Sequence, residues 1–69
     1  MIVTVHLHSV KRETRTIELE NGATVDALIR TLGLLPDSWI ATREGEPVPT
    51  DRKLEDGDEV KLISVVSGG

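Results

Sequence analysis

The chain has 69 residues, no cysteine, one aromatic residue (Trp39) and a formal charge of −4. A chain of this length makes one domain and buries only about 60% of the surface its unfolded form exposes, so a deep substrate cavity is not expected. Without cysteine there is no disulfide, no thiolate catalysis and no cysteine-ligated metal. The balance of 12 acidic to 8 basic residues disfavours direct nucleic-acid binding, which rests on Lys and Arg against phosphate.

The first segment, Ile2 to Leu7, alternates: Val3, Val5 and Leu7 share one face, and Ile2, Thr4, His6 and His8 the other. Period two predicts a half-buried strand. Lys11-Arg12-Glu13 reads as a charged turn, and Thr14 to Leu19 as a second strand with Ile17 and Leu19 inward, so the two form a hairpin. Asn21-Gly22 is a turn signal. Thr24 is then placed to cap a helix that Asp26 favours electrostatically. Val25, Leu28, Ile29 and Leu32 follow at i, i+3, i+4 and i+7, which predicts a helix over Val25 to Leu32. Gly33 suits its C-terminal end and Pro36 forbids extension.

Trp39 to Arg43 predicts a third strand, turning at Glu44-Gly45 into Pro47-Val48-Pro49. Proline cannot donate to a ladder, so this fourth strand belongs at a sheet edge. Asp51 to Leu54 is expected to form a brief helical turn. Asp56-Gly57-Asp58 is a tight turn, and Glu59 to Val66 the last and longest strand. The order is β-β-α-β-β-β. Placing the most apolar strands, the first and the last, side by side in the centre under one helix gives an α+β fold with the β-grasp arrangement of ubiquitin. The domain is expected over residues 1–66, with 67–69 as a flexible tail.

No residue set for catalysis stands out. His6 and His8 share a strand face and could touch one metal, but nothing nominates further ligands, so exposed strand histidines are the expectation. The acidic run Asp56-Gly57-Asp58-Glu59 suits either a turn or a weak contact with a cation or a basic partner patch, and the turn is favoured. Trp39 is expected in the core or at its boundary. Lys61, Ile63 and Val65 alternate away from Val60, Leu62, Ser64 and Val66. If the helix covers the second set, Ile63 and Val65 lie on the open side of the sheet, as a partner surface or as cover for its back.

The last strand runs directly into Ser67-Gly68-Gly69. Glycine has no Cβ and takes either sign of φ, so a diglycine can thread a carboxylate through a narrow enzyme channel. Such a carboxylate becomes reactive once its oxygen is made a good leaving group.

Across its length the chain resembles the ubiquitin-like sulfur carriers of the ThiS/MoaD superfamily and is most similar to the small archaeal ubiquitin-like modifier proteins. The resemblance rests on IVTVHLHSV, TVDALIRTLGL, LPDSWIATREGEPVPTD and LEDGDEVKLISVVSGG, the last with its D-G-D-E-V ahead of the diglycine. It implies that an E1-like enzyme adenylates the carboxylate of Gly69 with ATP. A sulfurtransferase or thiolation enzyme then makes a thiocarboxylate that donates sulfur, foremost for tRNA thiolation. The same end could instead form isopeptide bonds with target lysines, or serve molybdopterin or thiamine synthesis. A β-grasp interaction module with incidental glycines is the remaining alternative. On this reading Gly68 and Gly69 are the reactive end, and Ile63, Val65 and Val66 the docking surface. The chain is a cosubstrate rather than an enzyme. It binds no cofactor or metal itself and is expected to be a cytoplasmic monomer without membrane or direct nucleic-acid contacts.

Overall fold

A computed structural model describes residues 1–9 and 11–65. Its elements are β1 (Ile2–His8), β2 (Arg12–Glu18), α1 (Val25–Thr31), a 3-10 turn (Pro36–Ser38), β3 (Trp39–Arg43), β4 (Glu46–Val48) and β5 (Glu59–Ser64). The strands form one mixed sheet in the order β2-β1-β5-β3-β4. β1 and β5 pair in parallel at its centre, Thr4 opposite Glu59 and Leu7 opposite Leu62. All other pairings are antiparallel. This is the ubiquitin-like β-grasp arrangement expected from the alternation and the element order.

The core follows the same alternation. Val3, Val5 and Leu7 from β1, Val60 and Leu62 from β5, and Ala41 from β3 are buried with Val25, Leu28 and Ile29 of α1 and Leu54. Trp39 and Ile17 pack at its edge, so the tryptophan is a boundary residue. Thr24 caps α1, its hydroxyl accepting from the Ala27 N–H at 3.2 Å. The helix closes one residue earlier than the apolar spacing suggests, with Leu32 as its C-cap.

Asp51 to Leu54 is not helical. The chain turns at Thr50-Asp51 and then extends, Lys53 bridging to Thr24. The reason is the start of α1, whose first N–H groups have no partner within the helix. The Val25 N–H donates to the Arg52 carbonyl at 3.0 Å and the Asp26 N–H to the Thr50 carbonyl at 2.8 Å, while Leu54 N–H donates to Ala23. Carbonyls aimed outward at a neighbouring helix are not available for a helical turn of their own.

Arg12 and Glu13, expected in a turn, belong to β2, opposite His8 and Leu7. The 3-10 turn at Pro36–Ser38 was not anticipated. Strand β5 closes at Ser64 rather than Val66: Val65 lies beyond the ladder, although its N–H still donates to the Ser38 carbonyl at 2.8 Å.

Candidate functional site

Helix α1 covers one face of the sheet and leaves the other open. On the open face the strand registers set side chains in rows. One row runs Arg12, His8, Ile63, Ile40, and the next Thr14, His6, Lys61, Thr42, Pro47. The first row lies at the end of the sheet where β5 leaves it. Ile63 and Ile40 stand directly opposite one another there and remain 39% and 47% exposed, with Val65 beyond them at 40%. Two isoleucines side by side at that exposure form an apolar patch rather than a scattered surface residue.

Ile63 and Val65 are thus exposed, as alternation requires. Ile40 and His8 complete the patch; the sequence reading does not single out Ile40, and takes His8 only as an exposed strand histidine beside His6. The signal for Ile40 was present: with Trp39 and Ala41 turned inward, the residue between them must face out. His8 shows itself only through the register with Ile63. Val66, Gly68 and Gly69 lie outside the described residues.

The surroundings of the patch are basic although the chain is acidic. Arg12 and Lys61 flank His8 across the neighbouring strands. The His8 imidazole is held below its ordinary pKa, first by desolvation against the sheet and then by the charges of Lys61, Arg12 and His6. His6 has protein partners at both ring nitrogens: Thr14 Oγ1 lies 3.1 Å from Nδ1 and Glu59 Oε1 lies 2.6 Å from Nε2. Among the described residues no three His, Asp or Glu side chains gather where they could hold a metal ion.

The acidic run Asp56 to Glu59 is a turn whose carboxylates are used internally. Asp56 Oδ1 accepts the Ile2 N–H at 2.6 Å. Asp58 Oδ2 accepts the Glu55 N–H at 2.8 Å, and its Oδ1 pairs with Arg43 Nη2 at 3.0 Å. The Asp58 carbonyl accepts the Thr4 N–H at 2.9 Å, docking the turn onto β1. A depression of about 440 Å³ beside this turn is lined by His6, Arg43, Asp58, Glu59 and Lys61 among others; within it His6 contacts Glu59 and Arg43 pairs with Asp58.

No helix among the described residues is long and apolar enough to cross a membrane. The family model of small archaeal modifier protein 2 matches residues 1–66. The chain is 33% identical to small archaeal modifier protein 2 of Haloferax volcanii over 69 residues, which is the whole of both chains. It is 34% identical to a protein of Archaeoglobus fulgidus over 58 residues, 83% of this chain and 85% of the other. Among solved structures it resembles SAMP1 from Haloferax volcanii, with a TM-score of 0.76 and 23% identity over all of both chains. It also resembles the ubiquitin of Caldiarchaeum subterraneum, with a TM-score of 0.77 and 23% identity over all of this chain and 98% of that one. An apolar patch at the end of the central strand, on a ubiquitin-like sheet in a chain that the family model matches over residues 1–66 and the Haloferax volcanii relative over its whole length, accords with one conclusion: the chain belongs to the small archaeal modifier protein 2 family.

Proposed function

We propose that this chain is a protein cosubstrate whose Gly69 carboxylate is activated by an E1-like enzyme, with docking through the open sheet face. In the activation step a carboxylate oxygen attacks the α-phosphorus of ATP and pyrophosphate leaves. A hydrosulfide ion delivered by a partner enzyme then attacks the acyl carbon and AMP leaves, giving a thiocarboxylate whose sulfur serves tRNA thiolation. The observation that carries this reading is the placement of Ile63 and Ile40. They form an exposed apolar pair across two strands, Ile63 on β5, which leads towards the diglycine, and Ile40 on its neighbour β3. A partner holding that pair is within a few residues of the reactive end.

Conjugation to target lysines is the second reading. It uses the same activated carboxyl, with an ε-amine in place of sulfur, and it is favoured by the modifier family to which the chain belongs. The intact mass of the protein from its own host separates the two. An oxygen-to-sulfur increase on the C-terminal peptide supports the carrier, and Gly-Gly remnants on lysines of other proteins support the modifier. Deletion of Gly68 and Gly69 with no cellular consequence would sink both.

Docking has its own test. Ile63→Asp puts a charge into the patch at a half-exposed position and leaves the core intact. It is expected to raise KM for the chain in ATP–pyrophosphate exchange by about tenfold or more, the loss of about 1.4 kcal/mol or more typical of a central apolar contact, with kcat little changed. An unchanged KM removes the face from the proposal.

A further inference from the structure

The two edges of the sheet are built differently. β4 has three residues, one of them Pro47, a combination that discourages a further strand. β2 has seven residues, Arg-Glu-Thr-Arg-Thr-Ile-Glu, with no proline, glycine or lysine. Neither short length nor proline blunts it as they do β4; its edge protection rests on charge alone, two arginines and two glutamates, which deters a foreign strand but not one of complementary charge order.

The direction of its backbone groups can be read from the hairpin. Met1 and Leu19 exchange both hydrogen bonds, the Leu19 N–H to the Met1 carbonyl and the Met1 ammonium to the Leu19 carbonyl, each at 2.8 Å. In an antiparallel pair such exchanging residues alternate with non-exchanging ones. With the register Val3–Ile17, Val5–Arg15, Leu7–Glu13, these three residues of β2 turn their N–H and C=O groups toward β1. Thr4 confirms the phase from the other side, since its N–H points toward β5 and donates to Asp58. The intervening residues Arg12, Thr14, Thr16 and Glu18 therefore present their N–H and C=O groups outward, and no described residue takes them.

This edge is complementary to itself. We propose that two copies of the chain pair through β2, antiparallel about a two-fold axis at Arg15, to join two sheets into one. In that register Arg12 faces Glu18 of the other copy at both ends, and Thr14 faces Thr16 twice. All the outward backbone groups of both strands are then used, since each facing pair exchanges two bonds. On the helix side the two Arg15 side chains meet, each already held by its own Glu13 (Nε to Oε2, 3.0 Å), so the cluster is neutral. The strand as a whole carries two arginines and two glutamates within a chain of charge −4, which makes it a neutral contact zone on a surface that otherwise repels its own copy.

The contact is isologous and confined to strand edges. It buries well under the roughly 800 Å² per partner of a stable interface and is weak, forming at high protein concentration. It leaves β5, β3 and the Ile40–Ile63 patch uncovered, since β1 lies between β2 and β5.

Sedimentation equilibrium of the full chain over a concentration series to the millimolar range tests this, with amide hydrogen exchange at both ends of the series. The weight-average mass is expected to rise from 7.5 kDa toward twice that value. Exchange at Arg12, Thr14, Thr16 and Glu18 is expected to slow with concentration, while Glu13, Arg15 and Ile17, already bonded to β1, do not change. Thr16→Pro removes one outward donor and no bond to β1, so the fold is retained and the mass stays at the monomer value. Glu18→Arg also abolishes the rise, and the swap Arg12→Glu with Glu18→Arg restores it. The proposal is overturned by a monomer mass throughout the series, by association that survives Thr16→Pro, by failure of the swap to restore it, or by slowed exchange at Ile40 and Ile63 instead of β2.

Discussion

Replacing Asp58 by alanine isolates what the acidic turn does. Its side chain is only 6% exposed, and its two oxygens hold the Glu55 N–H at 2.8 Å and the Arg43 guanidinium at 3.0 Å. A hydrogen bond to a charged acceptor is worth about 1.5–3 kcal/mol. The ion pair adds less than a fully buried one, because Arg43 is 32% exposed and regains water once released, so about 1 kcal/mol is the appropriate allowance. Together they give about 3 kcal/mol. Against a total stability of roughly 3–10 kcal/mol for a chain of this length, that is a large fraction. At about 4–8 °C per kcal/mol it lowers Tm by roughly 12–24 °C.

The assay is a thermal melt of Asp58→Ala beside Asp56→Ala and Glu59→Ala. Asp56 makes one exposed hydrogen bond to the Ile2 N–H, and Glu59 contacts His6 at the surface. Both are expected to cost about 1 kcal/mol or less. If Asp58→Ala melts with the other two, the turn is not held by that side chain. The four-residue run would then be a solvated acidic surface, open again to a basic partner.

Two further outcomes are expected. The His8 pKa is lowered in the folded chain by desolvation and by Lys61, Arg12 and His6, so the unfolded chain takes up this proton first as pH falls. Stability is therefore undiminished by His8 above its unfolded pKa of about 6.5 and declines as pH falls below it. His8→Gln flattens that part of the pH profile of denaturant midpoints, and Lys61→Gln raises the His8 midpoint read by NMR. Glu44 opens the β3–β4 turn at φ 53°, followed by Gly45 at φ 83°. Asparagine tolerates that left-handed conformation better, so Glu44→Asn is expected to stabilise the fold by about 0.5–1 kcal/mol in urea denaturation, without a change in m.

Periodicity carried most of the fold. The alternation of Val3, Val5, Leu7 and of Val60, Leu62 fixed which face is inward, and the i, i+3, i+4, i+7 spacing located α1 to within one residue. Errors fell where long-range partners override local preference. Asp51 to Leu54 has a composition compatible with a helical turn, but the Arg52 carbonyl, like that of Thr50 just before the segment, is claimed by the start of α1, which lies more than twenty residues away in sequence. Arg12 and Glu13 look like turn residues because they are charged, yet an edge strand open to water takes charged side chains readily. The candidate site was half legible: Ile63 follows from alternation along one strand. The neighbours that make it a patch, Ile40 and His8, come from two other strands whose registers no single-strand pattern contains.

The parallel pairing of β1 with β5 has a consequence for how the chain reaches its native state. Of the described strands, the last to be synthesised is the one in the middle. Until β5 inserts, the hairpin of β1 and β2 and the hairpin of β3 and β4 have no shared ladder, and the contact that joins them, Thr4 with Glu59, closes a loop of more than fifty residues. Such closure is slow compared with formation of the hairpins themselves. The strand that leads to the diglycine is thus the keystone of the sheet. A chain that has not finished folding does not yet display Ile63 beside Ile40, so any enzyme that docked on that pair would act on completed molecules and pass over immature ones.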